Sequence, residues 1–158
     1  MSTVRAATVA DAPAIGEVHV RSWQAAYAGL IPADFLARLS AETRAASWAR
    51  RIGDGSGQVL VLEEDGVIAG FAAFGPSQLY ALYLLPRFWG RGLGRALHDR
   101  VVEGMSGDSA VLWVLATNER AKAFYVRQGW VDDDGRQTET VDDGRVTLEE
   151  MRYRRRLP

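Results

Sequence analysis

Three glycines in the middle of the chain stand where a polypeptide can hold an anion. Gly90, Gly92 and Gly94 lie between the apolar run "QLYALYLLP" and the amphipathic segment "RALHDRVVEGM". The first N–H groups of a helix have no acceptor within the helix, and the helix dipole adds partial positive charge beside them. Glycine lets an anion approach this backbone because it has no Cβ. The pattern predicts a phosphate-type anion site, and a glycine-rich turn with only structural duties is the alternative.

Two common phosphate-binding motifs do not fit this spacing. A Walker A loop requires Gly-x-x-x-x-Gly-Lys-Ser/Thr, and the chain contains no Lys-Ser or Lys-Thr pair. A dinucleotide fingerprint requires Gly-x-Gly-x-x-Gly, and counting from Gly92 places Leu97 at the third glycine position. The sequence therefore disfavours a nucleotide binder with a Rossmann-like sheet.

Two segments resemble the GNAT superfamily of acyl-CoA-dependent N-acyltransferases, and the N-terminal helices are similar to those of its small bacterial members. In "LYLLPRFWGRGLGRAL", Gly92 and Gly94 match the small positions of the family's pyrophosphate-binding pattern Arg/Gln-x-x-Gly-x-Gly/Ala, whereas Trp89 replaces Arg or Gln. The segment "LWVLATNERAKAFYVRQGW" is similar to the family's next pattern, Asn-x-x-Ala-x-x-Phe-Tyr-x-x-x-Gly-Phe. Its matching residues are Asn118, Ala121, Phe124, Tyr125, Gly129 and, in place of Phe, Trp130. The resemblance covers roughly residues 58–131.

The resemblance implies acetyl-CoA or a related acyl-CoA as the donor and no metal. In the family, the strands before and after the glycine helix splay apart, and the pantetheine arm pairs with backbone groups in the opening. Asn118 would bond this arm, or it would only cap its helix. The other residues implied to bind the cofactor are Leu82, Tyr83 and Leu84 through the main chain, and Gly90, Arg91, Gly92, Leu93, Gly94 and Arg95 around the pyrophosphate.

The resemblance also implies a role for Tyr125 as the general acid that protonates the departing CoA thiolate. A phenol with a pKa of about 10 stays protonated at neutral pH. The alternative for Tyr125 is an ordinary buried aromatic. Because the chain has no cysteine, a Cys-linked acyl enzyme is excluded, and direct attack by an amine in a ternary complex is expected. The family's usual glutamates are replaced by Gln78 and Trp113, so the base stays open between a water chain and a residue such as Glu17.

Four aromatic residues are candidates for the acceptor pocket, although core packing is an alternative for at least two of them. An aromatic wall would hold a cationic amine by cation–π contact. Arg21 would instead select a carboxylate, and the sequence does not decide between these pockets. His19 is a further candidate neighbour of the pocket, whereas His98 is expected to be solvated. The four aromatics are Trp23, Tyr27, Tyr80 and Trp113.

Composition restricts the class of protein. The chain has 158 residues and a formal net charge of −1, with 19 basic and 20 acidic residues. No global field therefore recruits nucleic acid or an anionic membrane. No apolar stretch approaches the roughly 20 residues that span a bilayer, and the first residues lack the apolar core of a signal peptide. These features predict a cytoplasmic protein.

The periodicity of the chain predicts an α/β fold in a single domain over residues 1–158. Helices follow a short first strand, a hairpin spans residues 58–74, and strand–helix–strand–helix units lead to two last strands. We expect one mixed sheet with helices on both faces. The resemblance to the GNAT superfamily further implies a mostly antiparallel sheet with a splay between its two parallel central strands. Thr8 and Ser40 are predicted helix caps. The basic run "RYRRRLP" is expected to be a frayed end rather than a basic hook.

The function that these observations favour is N-acetyl transfer from acetyl-CoA to a primary amine of a small molecule or peptide. The alternative is a non-catalytic acyl-CoA-binding sensor or regulatory module with the same fold. The missing glutamates favour the sensor, whereas the retained Tyr125 counts against it. A homodimer is a family-level expectation.

Overall fold

One sheet of seven strands runs through the protein. The computed structural model describes residues 1–158, and the strand order in the sheet is β1-β2-β3-β4-β5-β7-β6. Only β4 and β5 are parallel, and every other neighbouring pair is antiparallel. The strands are β1 (Ser2–Ala6), β2 (Gln58–Glu64), β3 (Val67–Phe74), β4 (Gln78–Leu84), β5 (Ser109–Leu115), β6 (Val131–Val141) and β7 (Val146–Arg156).

Five α-helices cover this sheet, and their ends follow the capping chemistry of the sequence. Ser40 Oγ accepts the Thr43 N–H at 3.2 Å, as predicted for a cap. Thr8 opens only a short 3₁₀ turn before the first helix, where the Asp11 carboxylate accepts its N–H at 2.8 Å. The helices are α1 (Ala12–Ala26), α2 (Ala33–Ala37), α3 (Ala41–Asp54), α4 (Leu93–Glu103) and α5 (Glu119–Arg127). No helix is long and apolar enough to cross a bilayer.

Alternate residues of the central strands supply two cores, one on each face. In β2, Leu60 and Leu62 pack with Leu97 and Val101 of α4. Val59 and Val61 belong to the core that contains residues of α1 and α3. Successive strand residues point to opposite faces, so a strand buried on both sides reads as an unbroken apolar run such as "VLVL". The predicted mixed sheet with helices on both faces is confirmed.

The two parallel strands stay paired for only a short distance. Gln78 and Leu79 of β4 pair with Val111 and Leu112 of β5, and the strands then separate. A register shift between β3 and β4, at Ala73/Phe74, lies beside this point, and such irregularities bend a strand. The predicted splay is therefore present, and it opens the centre of the sheet.

The prediction of a frayed C-terminal end was wrong. Arg154, Arg155 and Arg156 belong to β7, where they pair with Val111, Ala110 and Ser109 of β5. The backbone of a central strand needs a partner on each side, and this segment provides one for β5. The charged heads still reach polar groups, since Arg155 Nε donates to the Gln128 carbonyl at 2.8 Å and Arg154 Nε donates to Asp133 at 3.2 Å.

The prediction of a solvated His98 was also wrong. Its side chain is 1% exposed, and Trp130 Nε1 donates to His98 Nε2 at 2.8 Å. Burial lowers the pKa of His98, so the imidazole is neutral. A charge-bearing residue type on an amphipathic helix suggests exposure, but a long-range partner supplies the hydrogen bond that burial requires.

Candidate active site

A cleft of about 780 Å³ lies at the splay between β4 and β5. Its walls come from both separated strands, the glycine loop and α5. Two residues expected to bind the cofactor have side chains elsewhere: Leu93 is buried in the core, and the Arg91 guanidinium lies 5.4 Å from the Phe88 ring centroid. The expected residues that the structure brings together in this cleft are Leu82, Tyr83, Leu84, Gly90, Gly92, Gly94, Arg95, Asn118 and Tyr125.

The three glycines have two different roles. Gly90 and Gly92 adopt left-handed conformations, with φ of 74° and 78°, and a Cβ on either would meet no atom within 4 Å. These two glycines are therefore required by backbone conformation and leave open space above the loop. A Cβ on Gly94 would instead lie 3.3 Å from the Phe124 ring, so Gly94 allows α4 to approach α5.

Backbone donors at the start of α4 remain free. Gly92 is the N-cap, and the first bond of the helix runs from Ala96 N–H to its carbonyl at 3.2 Å. The N–H groups of Leu93, Gly94 and Arg95 donate to no backbone carbonyl. Three unpaired donors beside two bare glycines, at the positive end of a helix, form a cradle for an anion.

Backbone groups of β4 point alternately toward β3 and toward the splay. Leu85 N–H donates to the Ala69 carbonyl at 2.8 Å. Alternate pairs of an antiparallel ladder are hydrogen-bonded, so Tyr83 and Phe71, which face each other in the register, form the next bonded pair. The backbone of Tyr83 is thus engaged by β3, while the N–H and C=O groups of Leu82 and Leu84 face the splay.

Trp89, the departure from the family pattern, lies across one end of this opening. Its indole N–H donates to the Leu84 carbonyl at 2.9 Å, and the Arg120 guanidinium lies 3.5 Å from its ring centroid. Arg120 lines the cleft, and burial lowers its pKa. Sequence reasoning missed Arg120, because its contact with Trp89 joins α5 to the glycine loop.

Tyr125 and Asn118 reach the cleft from α5 and its cap. Burial raises the pKa of Tyr125, so its hydroxyl is protonated at neutral pH. Phe124 packs edge-on against Tyr125, with ring centroids 5.3 Å apart. Asn118 Oδ1 accepts the Ala121 N–H at 3.1 Å, which is the capping role considered for this residue. Its side chain also lines the cleft.

A second cavity of about 510 Å³ adjoins the cleft on the α1 and α3 side of the sheet. Tyr27, Tyr80, Tyr83 and Trp113 line both spaces, and Trp23 lines the second one only. The four aromatics expected around the acceptor are therefore all in its wall. Tyr27 also belongs to a buried apolar cluster, so core packing and cavity lining hold together for that residue.

Three polar residues considered for this pocket have different positions. Arg21 Nε bonds Glu17 at 2.7 Å on the exposed face of α1, and neither residue lines the cavity. The proposals of Arg21 as the carboxylate selector and Glu17 as the base are not supported by this position. His19 does line the cavity, where its Nδ1 accepts the Trp48 N–H at 3.0 Å. Burial, assisted by Arg44, lowers the pKa of His19 to about 4.

Five charged residues of the cavity wall were missed in the sequence, and one of them, Asp142, is bonded to Arg38 at 2.6 Å. Arg44 and Arg51 come from α3, Glu139 from β6 and Glu150 from β7. Glu150 lies opposite Leu115 in the β5–β7 register, and its Oε1 accepts the Gln137 amide at 2.8 Å. Burial raises the pKa of Glu150. No local signal identifies these residues, since each lies on an otherwise charged, amphipathic segment.

Comparisons with a family model and with individual proteins agree on the family of this chain. The acetyltransferase (GNAT) family matches residues 20–130. The uncharacterised N-acetyltransferase YuaI of Bacillus subtilis is 35% identical over 130 residues, which cover 75% of this chain and 74% of YuaI. The chain therefore belongs to the GNAT family and is an acyl-CoA-dependent acetyltransferase by class.

Solved structures agree on the fold. A GCN5-related N-acetyltransferase from Rhodopseudomonas palustris has a TM-score of 0.85 at 23% identity, covering 99% of this chain and 96% of that protein. YncA of Salmonella typhimurium, solved with its cofactor acetyl-CoA, has a TM-score of 0.71 at 24% identity, covering 100% and 95% of the two chains. The likeness extends over the whole mixed sheet.

Proposed function

We propose that this protein transfers an acetyl group from acetyl-CoA to a primary amine of a small molecule or peptide, by direct attack in a ternary complex. The observation that carries the proposal is a pair of adjoining cavities that share walls at the splay between β4 and β5. One cavity has an anion cradle at its end, and the other has an aromatic wall. A donor in the first and an acceptor in the second would meet at the separated strands.

The cleft offers the groups that acetyl-CoA requires. The free N–H groups at the start of α4 would receive the pyrophosphate, with Arg95 and Arg120 adding positive charge beside it. Leu82 and Leu84 would bond the pantetheine arm as an added strand does. The Leu84 carbonyl already accepts a hydrogen bond from the Trp89 indole. The Leu84 N–H is therefore the group of this residue that remains for the pantetheine arm.

Tyr125 is proposed as the acid of the reaction. Attack by an amine expels a thiolate, and an O–H group beside it can supply the proton. The raised pKa of Tyr125 keeps this proton on the phenol until it is needed. Positioning of two substrates in one enclosed space supplies much of the remaining rate enhancement.

A thermal-shift titration tests the donor site. Acetyl-CoA and CoA at about 100 times their dissociation constants should add about 2.7 kcal/mol to the unfolding free energy. For a domain of this size the midpoint should rise by roughly 5–10 °C, whereas NADH and ATP should have no such effect. Absence of a shift with both CoA species would contradict the donor site.

Thiol release with a panel of amines then tests catalysis. We expect CoA to be released only when both acetyl-CoA and an acceptor amine are present. Binding of acetyl-CoA without turnover of any amine class would support the non-catalytic sensor instead.

A further inference from the structure

The acceptor cavity has walls of opposite charge. Arg44 and Arg51 stand on the wall made by α3, and Glu139 and Glu150 stand on the wall made by β6 and β7. The same cavity is also lined by aromatic rings and by the neutral His19. A ligand in this space would experience positive potential at one end and negative potential at the other.

The arginines of this cavity have no carboxylate partner within the protein. Arg44 forms no ion pair or side-chain hydrogen bond. Arg51 Nε donates to the Ser56 carbonyl at 3.1 Å, and its guanidinium lies over the rings of Trp48 and Tyr80 at 5.4 and 4.9 Å. An arginine in a half-enclosed aromatic space without an anion is suited to an anion from a ligand.

The facing carboxylates also keep capacity for a ligand. Glu150 accepts one bond, from the Gln137 amide, and Glu139 forms no ion pair. By contrast, the third acidic residue of the wall, Asp142, is bonded to Arg38 at 2.6 Å. Glu150 and Glu139 are therefore the carboxylates available to a cation.

Tyr83 and Tyr27 line both the acceptor cavity and the donor cleft. Burial raises the pKa of Tyr83, and the charges of Glu150 and Arg44 act on it in opposite directions. Burial also raises the pKa of Tyr27. These two phenols therefore lie where the charged cavity meets the donor cleft.

We propose that the acceptor is a small zwitterion, a primary amine that also carries a carboxylate or similar anion, with its anion against Arg44 and its ammonium against Glu150. The inference rests on the proposed function and names the substrate class of that reaction. A polyamine would leave Arg44 without an anion and would bring a second cation toward the arginines. A large protein substrate fits poorly in a space of about 510 Å³.

Glu150 then becomes the group that activates the amine. Its carboxylate takes one proton from the ammonium, which frees the nitrogen lone pair. The nitrogen forms a C–N bond to the thioester carbonyl carbon, the C–S bond breaks, and the CoA sulfur takes the Tyr125 proton. The second proton lost by the nitrogen restores the Tyr125 hydroxyl, and Glu150 releases its proton to water. The products are the N-acetylated acceptor, which keeps its carboxylate but has lost its positive charge, and free CoA thiol.

The test compares matched acceptors by CoA thiol release with the full chain. The probes are the common L-amino acids, β-alanine and 4-aminobutyrate, each beside its carboxamide, with spermidine and tyramine as amines that lack an anion. We expect at least one zwitterion to exceed its carboxamide by about tenfold or more in kcat/KM, since bonds to charged groups are of this size. Preference for carboxamides, spermidine or tyramine would overturn the inference while leaving acetyl transfer intact.

Two pairs of variants test the roles of Arg44 and Glu150 in the opposite walls of the cavity. Arg44→Gln should raise KM for the preferred zwitterion by about tenfold with little change in kcat or in carboxamide turnover. Arg50→Gln, on the exposed side of the same helix, should resemble the native protein. Glu150→Gln should lower kcat/KM, whereas the exposed neighbour Glu149→Gln should not. Equal behaviour of Arg44→Gln and Arg50→Gln would overturn the inference.

If none of the amines is turned over, binding of the same probes to the CoA-bound protein tests the zwitterion site. Zwitterions should then raise the unfolding midpoint of the CoA-bound protein, and Arg44→Gln should remove that increase. Stabilisation by spermidine but not by any amino acid, or by none of the probes, would reject the zwitterion site. Failure of acetyl-CoA itself to bind would reject the proposed function first, so the two failures are distinguishable.

Discussion

Tyr125 illustrates how a single side chain can be both packed and reactive. Its side chain packs at the edge of the larger core and also lines the cleft where β4 and β5 separate. Burial disfavours the phenolate and holds the proton in place. The same burial that makes the residue look structural thus prepares it to donate a proton.

Tyr125→Phe should therefore lower kcat without weakening acetyl-CoA binding. Loss of a general acid typically costs about 10²-fold or more in rate. The matched control is Tyr153→Phe, which removes a phenol from the same core outside the cleft. Thiol release and calorimetric titration with acetyl-CoA check the two quantities, and an unchanged kcat would remove Tyr125 from the mechanism.

Glu150 gives a prediction about pH. Burial and Glu139 raise its pKa above the ordinary value of 4.5, and the Gln137 bond opposes them. If the ionised form accepts the proton, kcat/KM should fall as pH decreases through this raised pKa. Burial raises the pKa of Tyr83, so its phenol stays neutral in this range. Burial, assisted by Arg44, lowers the pKa of His19 to about 4, so the imidazole in the same cavity stays neutral at higher pH. Glu150→Gln should remove the acidic limb of the profile, and its persistence would exclude Glu150 as the base.

At the scale of elements, the glycine loop and α4 act as one binding unit. The left-handed φ of Gly92 turns the chain, and the helix that follows presents free N–H groups on the cleft side. Trp89 extends the unit by joining β4 to Arg120 of α5. The departure from the family pattern therefore adds a connection between two elements of the cleft.

Gly92→Ala should show separate effects on backbone strain, measured as stability, and on acetyl-CoA affinity. Forcing a residue with a Cβ into the left-handed region costs about 1–2 kcal/mol of stability. Gly107→Ala is the control, because Gly107 has φ of 95°, equally open surroundings and a position outside the cleft. Both variants should lose similar stability in denaturant titrations, but only Gly92→Ala should lose acetyl-CoA affinity. Equal affinity in both would contradict the cradle.

Arg120→Gln should weaken acetyl-CoA binding by about tenfold and reduce its sensitivity to salt, because one charge near the phosphates is removed. Arg91→Gln is the comparison, since that guanidinium lies over Phe88 and outside the cleft lining. Titrations at low and high salt check both. A larger effect at Arg91 would reverse the assignment of the phosphate-binding arginine.

At the scale of the whole molecule, the sheet organises two histidines as neutral, hydrogen-bonded groups. His98 accepts from Trp130 in the larger core, and His19 accepts from Trp48 beside the acceptor cavity. Both pKa values are lowered by burial. A homodimer stays a prediction at this scale.

Stability should consequently fall in mild acid. The unfolded chain takes up protons on its histidines below pH 6.5, whereas folded His19 resists protonation until about pH 4. The unfolding free energy should decrease across this window by on the order of 3 kcal/mol from His19 alone. Denaturant titrations at several pH values check the slope. His19→Gln should flatten it, and an unchanged slope would contradict the assignment.

Local chemistry explains what could be predicted from the sequence. The Ser40 cap, the hairpin of β2 and β3, and the strand–glycine–helix unit depend on residues close together in the chain, where propensity and capping act directly. Family resemblance supplied the splay and the expected role of Tyr125. These features determined the class of protein and the donor end of the candidate site.

Only the tertiary structure decided the acceptor end. Glu150 enters the cavity because β7 lies between β5 and β6, and Arg44 enters because α3 packs beside α1. His98 became buried, and the last arginines joined the sheet, through partners far away in the chain. Such contacts depend on which elements pack together in the folded protein. The residues next to a given position in the sequence do not determine that packing. The sequence by itself therefore determined an acyl-CoA-type fold, while the charged walls of the acceptor cavity arose from long-range packing.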